Sequence, residues 1–159
     1  MDPLRPPLER FPPEYARRPQ GMLQAENAVW QAFRVANQGA LTALYFNVHV
    51  GTVPGLDATT TAAENSARTT LWSKRIDVVA EAYREVWLIE CKTAARPSAI
   101  GQLLTYIPLL ADRNATWTDP RPLLVAGTVD PDAFQLATTL NFEILTPPFR
   151  RLAPRDAAL

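Results

Sequence analysis

Val86-Trp87-Leu88-Ile89-Glu90-Cys91-Lys92-Thr93 is an apolar run that closes on a carboxylate and an ammonium two residues apart. Its composition and length suit a buried β-strand. Residues i and i+2 of a strand share a face, so Glu90 and Lys92 project together while Cys91 points into the opposite side, a core position. The chain carries 14 arginines and only two lysines, Lys74 and Lys92. Lysine is a compact point charge whose pKa moves readily, which arginine is not. A Glu-x-Lys pair on a buried strand, in a chain that avoids lysine, reads as a site rather than a surface.

Outward from this strand, the chain alternates strands and helices. Gly21 to Asn37 has an apolar stripe of Met22, Val29, Trp30, Phe33 and Ala36 at helical spacing, and Gly39 ends it. Ala43–Val50, Arg75–Ala82 and Val86–Thr93 are strand candidates, the last two close enough to form a hairpin. Residues 51–73 show no clear period and are expected to be a long loop. Pro97–Asp112 is a helix with proline in its first turn. Pro108 within it predicts a kink or an early end. Leu123–Val129 is a fourth strand. Asp130-Pro131 opens a last helix, and Phe142–Leu145 is a short final strand. The expected fold is a mixed α/β domain.

At 159 residues with 47% hydrophobic composition, the chain is one domain with ample material for a core. Residues 1–19 hold six prolines and are expected to be an extended arm. Residues 20–146 form the domain, and 147–159 a Pro- and Arg-rich tail. A formal net charge of zero excludes a uniformly basic nucleic-acid coat but allows a local basic groove. Arg17, Arg18, Arg68, Lys74, Arg75 and Arg96 are candidates to line one. The single Cys91 cannot form an internal disulfide, which fits a reducing compartment. No apolar run approaches the ~20 residues of a membrane span. The expected location is the cytoplasm. His49, the only histidine, alternates with Val48 and Val50 and reads as structural.

The chemistry begins with Asp77. If the hairpin turns near residues 83–84, Asp77 lies opposite Glu90 or its neighbour, where paired Cβ atoms are ~5 Å apart. Two carboxylates that close repel, and a divalent cation removes the cost. Mg²⁺ takes oxygen ligands, commonly one or two carboxylates plus phosphate and water. Beside it, Lys92 could activate water or stabilise charge growing on phosphorus, which are the parts for phosphodiester hydrolysis. Glu26 shares the apolar stripe of the first helix and needs a partner there. Gln102 and Tyr106, one helical turn apart, can reach a substrate from one side.

Arg75-x-Asp77, Glu90-x-Lys92 and Gln102-x-x-x-Tyr106, with Glu26 before them, follow one another in an order that resembles the PD-(D/E)XK nuclease superfamily, closest to its RecB-like branch. The resemblance covers about residues 20–130. It implies a restriction-endonuclease-like core, with a mixed central sheet flanked by helices in α-β-β-β-α-β order. It implies a Mg²⁺-dependent (or Mn²⁺-dependent) deoxyribonuclease in DNA processing, repair or phage DNA metabolism, acting in a bacterial or phage-infected cell. Glu26, Asp77, Glu90 and the Cys91 carbonyl would serve as metal ligands, and Asp77, Glu90, Lys92, Gln102 and Tyr106 as the catalytic set. The glycine that often precedes Arg-x-Asp is Lys74 here, and no cysteine set for an iron–sulfur cluster is present. The alternative expectation is a catalytically idle module of the same fold. It would serve as a structural or interaction subunit of a virion or other assembly, joining a protein partner or a second copy through the Pro-rich arms.

Overall fold

The sheet follows from the strand at 85–95 being covered on both faces, which is why its sequence is a continuous apolar run rather than an alternation. In the computed structural model, which describes residues 6–55 and 59–158, the strands are β1 (Leu41–Val50), β2 (Lys74–Ala82), β3 (Glu85–Ala95), β4 (Arg121–Val129) and β5 (Glu143–Leu145). They form one sheet in the order β1-β2-β3-β4-β5, with β3 in the middle. β1, β2 and β3 are antiparallel, and β4 and β5 run parallel to β3. The helices are α1 (Gln24–Asn37), α2 (Ala62–Trp72), α3 (Pro97–Arg113) and α4 (Pro131–Thr139). The chain is thus α/β, with a mixed, open five-stranded sheet flanked by helices.

Two apolar layers hold it together. On one face, Trp30 and Phe33 of α1 pack with Leu44, Val78, Trp87, Ile89 and Cys91. On the other, Ile100, Leu103, Tyr106 and Leu110 of α3 and Ala133 and Ala137 of α4 pack with Val79, Leu88 and Leu124. Gly127 lets α1 and the parallel strands approach closely, since a Cβ there would sit 2.8 Å from the Thr93 carbonyl oxygen. No helix among the described residues is long and apolar enough to cross a membrane.

Two expectations need correction. The stretch 51–73 is not loop throughout, because its second half is α2. The signal was local: Thr61 and Glu64 form a reciprocal cap, with the Glu64 amide donating to Thr61 Oγ1 and the Thr61 amide to Glu64 Oε2. Pro108 does not end α3, which runs on to Arg113. Pro108 lies on the exposed side, where water can satisfy the carbonyl its missing N–H leaves behind. The described parts of the Pro-rich ends pack onto their own chain. Phe11 exchanges two backbone hydrogen bonds with Leu44, at 2.8 and 2.9 Å, and its ring joins Tyr15 and Phe46. The calls on residues 1–5 fall outside the described residues.

The C-terminal tail is held by buried polar groups. Asn37 accepts from the Leu152 amide at 2.8 Å and donates to the Arg150 carbonyl, and the Tyr83 hydroxyl donates to the Leu152 carbonyl at 2.8 Å. Arg121 is the centre of this corner. It grips Glu143 with two hydrogen bonds of 2.6 and 2.8 Å, donates to the Ala153 carbonyl at 2.8 Å, and lies 3.4 Å from Glu85 over the face of Trp87. Arg121→Met keeps the stem but strands two carboxylates and frees the tail. It is expected to cost about 2 kcal/mol in urea unfolding, less than a fully buried pair because Glu143 is partly wet. A loss below about 0.5 kcal/mol, the level of an ordinary surface pair, would contradict this reading.

Candidate active site

The site lies where the sheet forks. β2 and β3 pair from Ala82↔Glu85 to Val78↔Ile89 and no further. Beyond that point β2 stays with β1 as far as Lys74↔Val50, while β3 stays with β4 as far as Ala95↔Val129. Asp77 is the first residue past the last β2–β3 pair, and the same register sets it opposite Glu90. Its Oδ2 accepts a 2.9 Å hydrogen bond from the Cys91 amide, so the side chain replaces the ladder bond lost at the fork.

Asn47 marks the fork on β1. It lies between the pairs Phe46↔Val78 and Val48↔Ile76, and so opposite Asp77, with φ of 52°. The hairpin swivels there. Phe46 and Val78 belong to the α1-side core, whereas Val48 and Ile76, two residues further on, belong to the α3-side core. Asparagine tolerates the left-handed conformation better than most residues, so an Asn inside an apolar strand was a readable signal. A small cavity of about 160 Å³ opens beside Asp77, lined by Gln20, Gly21, Met22, Asn47 and Arg75. Through Gln20 and Asn47 it adjoins a cleft of about 1330 Å³ between the N-terminal arm, β1 and α2.

Glu90 is 2% exposed, and its Oε1 lies 2.7 Å from Lys92 Nζ. Its Oε2 is buried and has no hydrogen-bond partner. Burial, reinforced by Asp77, pushes the Glu90 carboxyl up to about 7 despite the ammonium of Lys92. Asp77 is also raised, first by burial, with the Cys91 amide and Lys92 opposing and Glu26 adding to the effect. Burial disfavours the Lys92 ammonium, but the Glu90 and Asp77 carboxylates outweigh it and hold its pKa above that of an ordinary lysine. Lys92 is therefore a cation at neutral pH. In this state it can stabilise negative charge but cannot take a proton.

The remaining residues fall around this pair. Tyr106 is buried on α3 and accepts a 3.4 Å hydrogen bond from Gln102 Nε2. Burial raises its hydroxyl pKa, and Glu90 raises it further, which puts the phenol in the electrostatic neighbourhood of the site. Glu26 is half-buried in the first turn of α1 and acts on Asp77, Glu90 and Lys92 through its charge. Its Oε2 accepts from the Leu23 amide at 3.2 Å, so it caps its own helix as well. Cys91 Sγ is buried in the α1-side core, as expected, and only its backbone faces the site. His49 is engaged with Ser73, Nδ1 to Oγ at 2.5 Å, in keeping with a structural role.

Among the described residues, no three His, Cys, Asp or Glu side chains converge closely enough to hold a metal by themselves. Two carboxylates and an ammonium meet at the fork, and the third carboxylate, Glu26, stands nearby. Among the described residues the buried Glu90 Oε2 has no hydrogen-bond partner, a costly state for an ionised carboxylate. The chain matches no family model, no curated protein and no solved structure.

Proposed function

We propose that this protein is a Mg²⁺- or Mn²⁺-dependent nuclease that hydrolyses phosphodiester bonds in DNA, with a restriction-endonuclease-like core. The observation that carries the reading is the buried Glu90 Oε2, left without a hydrogen-bond partner beside Asp77 and Lys92. Asp77 and Glu90 would hold the ion, with the Cys91 carbonyl as a further ligand and Glu26 acting directly or through water. A bound divalent ion supplies Lewis-acid polarisation of a phosphoryl oxygen and a more acidic water. Lys92, cationic and 27% exposed beside the buried carboxylate, is placed to neutralise charge that builds on phosphorus. Gln102 and Tyr106 would orient the backbone of the strand. Arg75, which lines the cavity with Asp77, supplies a cation at its mouth. Among the described residues, Phe11 of the N-terminal arm and Arg150 and Leu152 of the tail are bonded to their own chain.

The test is incubation of the purified protein with end-labelled single- and double-stranded DNA in Mg²⁺ or Mn²⁺, with and without EDTA. Cleavage that EDTA abolishes is expected. Absence of cleavage with either ion on either substrate would overturn the reading.

A further inference from the structure

α2 ends in an exposed apolar pair, with Leu71 77% and Trp72 60% exposed. The other three tryptophans, Trp30, Trp87 and Trp117, are at most 1% exposed. A large aromatic left in water beside a leucine marks an interaction site more often than chance. The helix end that displays it is pinned: Ser73 Oγ donates to the Thr69 carbonyl at 2.5 Å and meets His49 Nδ1 at 2.5 Å. Asn65 and Thr69 of the same helix are buried and anchor it to the fold. Trp72 is thus presented outward from a fixed platform.

What lies next to it decides the partner. Lys74 and Arg75 follow in the chain, both are exposed, and neither pairs with a carboxylate among the described residues. Arg75 lines the cavity of Asp77. Trp72 lies five positions before Asp77, at most about 18 Å of chain. That span is about five nucleotides at the ~3.4 Å stacked spacing. A strand whose phosphate lies at the fork would pass a neighbouring phosphate over Arg75 and bring a base up to about five nucleotides further on to Trp72.

We propose that Trp72, with exposed Leu71 before it in the chain and Arg75 between it and the site, is a stacking platform for an unpaired base of single-stranded nucleic acid entering the site. This rests on the nuclease reading above and deepens it by specifying an unpaired strand. Stacking on an exposed aromatic is indifferent to sequence, because every base offers a π face, and the Arg75 cation meets the backbone.

The experiment uses Asp77→Asn protein, so that binding is read without cleavage, and a fluorescein-labelled twelve-nucleotide oligothymidylate. Because the other tryptophans are buried, quenching of the exposed fluorophore by unlabelled oligonucleotide reports on Trp72. Quenching is expected, together with roughly 5- to 100-fold weaker anisotropy-measured binding in the added Trp72→Ala variant. A blunt duplex of the same length should bind more weakly than the single strand and quench less. Binding of the oligonucleotide without quenching, or equal affinity with and without Trp72, would overturn the platform and leave the nuclease reading standing. No binding at all, alongside no cleavage by the parent protein, would sink both. A concentration-dependent dimer in size-exclusion chromatography that Trp72→Ala abolishes would assign the patch to a second copy of this chain instead.

Discussion

Lys92→Ala and Asp77→Ala are each expected to lower metal-dependent DNA cleavage by about 10³-fold or more, the size of effect found when a preorganised charge is removed from a reacting centre. The two losses have different causes. Lys92 touches Glu90 at 2.7 Å and contributes a positive charge inside the fork, so its removal takes away stabilisation of charge on phosphorus. Asp77 is expected to act through the ion, and its loss should also weaken metal binding. Neither change should unfold the protein. Without Lys92, the Glu90 carboxyl, already raised to about 7, can take a proton instead of standing as a bare buried charge. Asp77→Ala leaves the Cys91 amide without its acceptor, a cost of about 1–2 kcal/mol. Asp77→Asn keeps that acceptor and removes only the charge, so it separates the catalytic loss from the structural one. Circular dichroism and gel-resolved cleavage on the same preparations decide the matter. If both alanine variants cut as fast as the parent, the assigned residues do no chemistry.

The stability of the metal-free protein should fall as pH rises from about 4.5 to 7, and Mg²⁺ should restore it only at the upper end. Glu90 titrates near 4.5 when exposed and at about 7 when folded. Below the lower value both states hold the proton and the contribution is fully present. Between the two values the folded protein keeps a proton that the unfolded chain has lost, so folding becomes less favourable as pH climbs. The total loss is on the order of 3 kcal/mol, or about 7–14 °C in Tm for a chain of this size. A divalent cation binds the ionised form, so it should raise Tm by several degrees at pH 8 and scarcely at all at pH 5.5. Glu90→Gln should flatten the pH slope and abolish the Mg²⁺ response together. Thermal scans at four pH values, with and without Mg²⁺, read this out whether or not the protein cuts anything. A Mg²⁺ stabilisation that is equal in parent and Glu90→Gln would place the ion elsewhere.

Much of the fold was legible in short stretches. The buried run from Val86 to Thr93 became the central strand, and Asp130-Pro131 did open α4, with Asp130 accepting from the Asp132 amide at 2.8 Å. Gln102 and Tyr106 did share a helical face, and counting back through the hairpin did set Asp77 against Glu90. These succeeded because face and spacing are properties of the repeat of a strand or helix, and a few neighbouring residues encode them. α2 was missed although its cap, Thr61 to Glu64, was equally local. The surrounding Ala-, Thr- and Asn-rich composition carries little apolar periodicity, and the helix buries chiefly polar Asn65 and Thr69.

Residue order and residue type alone settled which groups could meet: one lysine, two carboxylates on adjoining strands, and a glutamine and tyrosine a turn apart. That Asp77, Glu90 and Lys92 come together at the fork was decided elsewhere. β2 must leave β3 at Val78 and remain with β1, and Asn47 must swivel the hairpin so that Asp77 can reach across to the Cys91 amide. The isolation of Glu90 Oε2 likewise depends on strands and helices distant in the chain closing over it. Such choices between competing strand partners are made by packing across the whole sheet, and no window of neighbouring residues contains them.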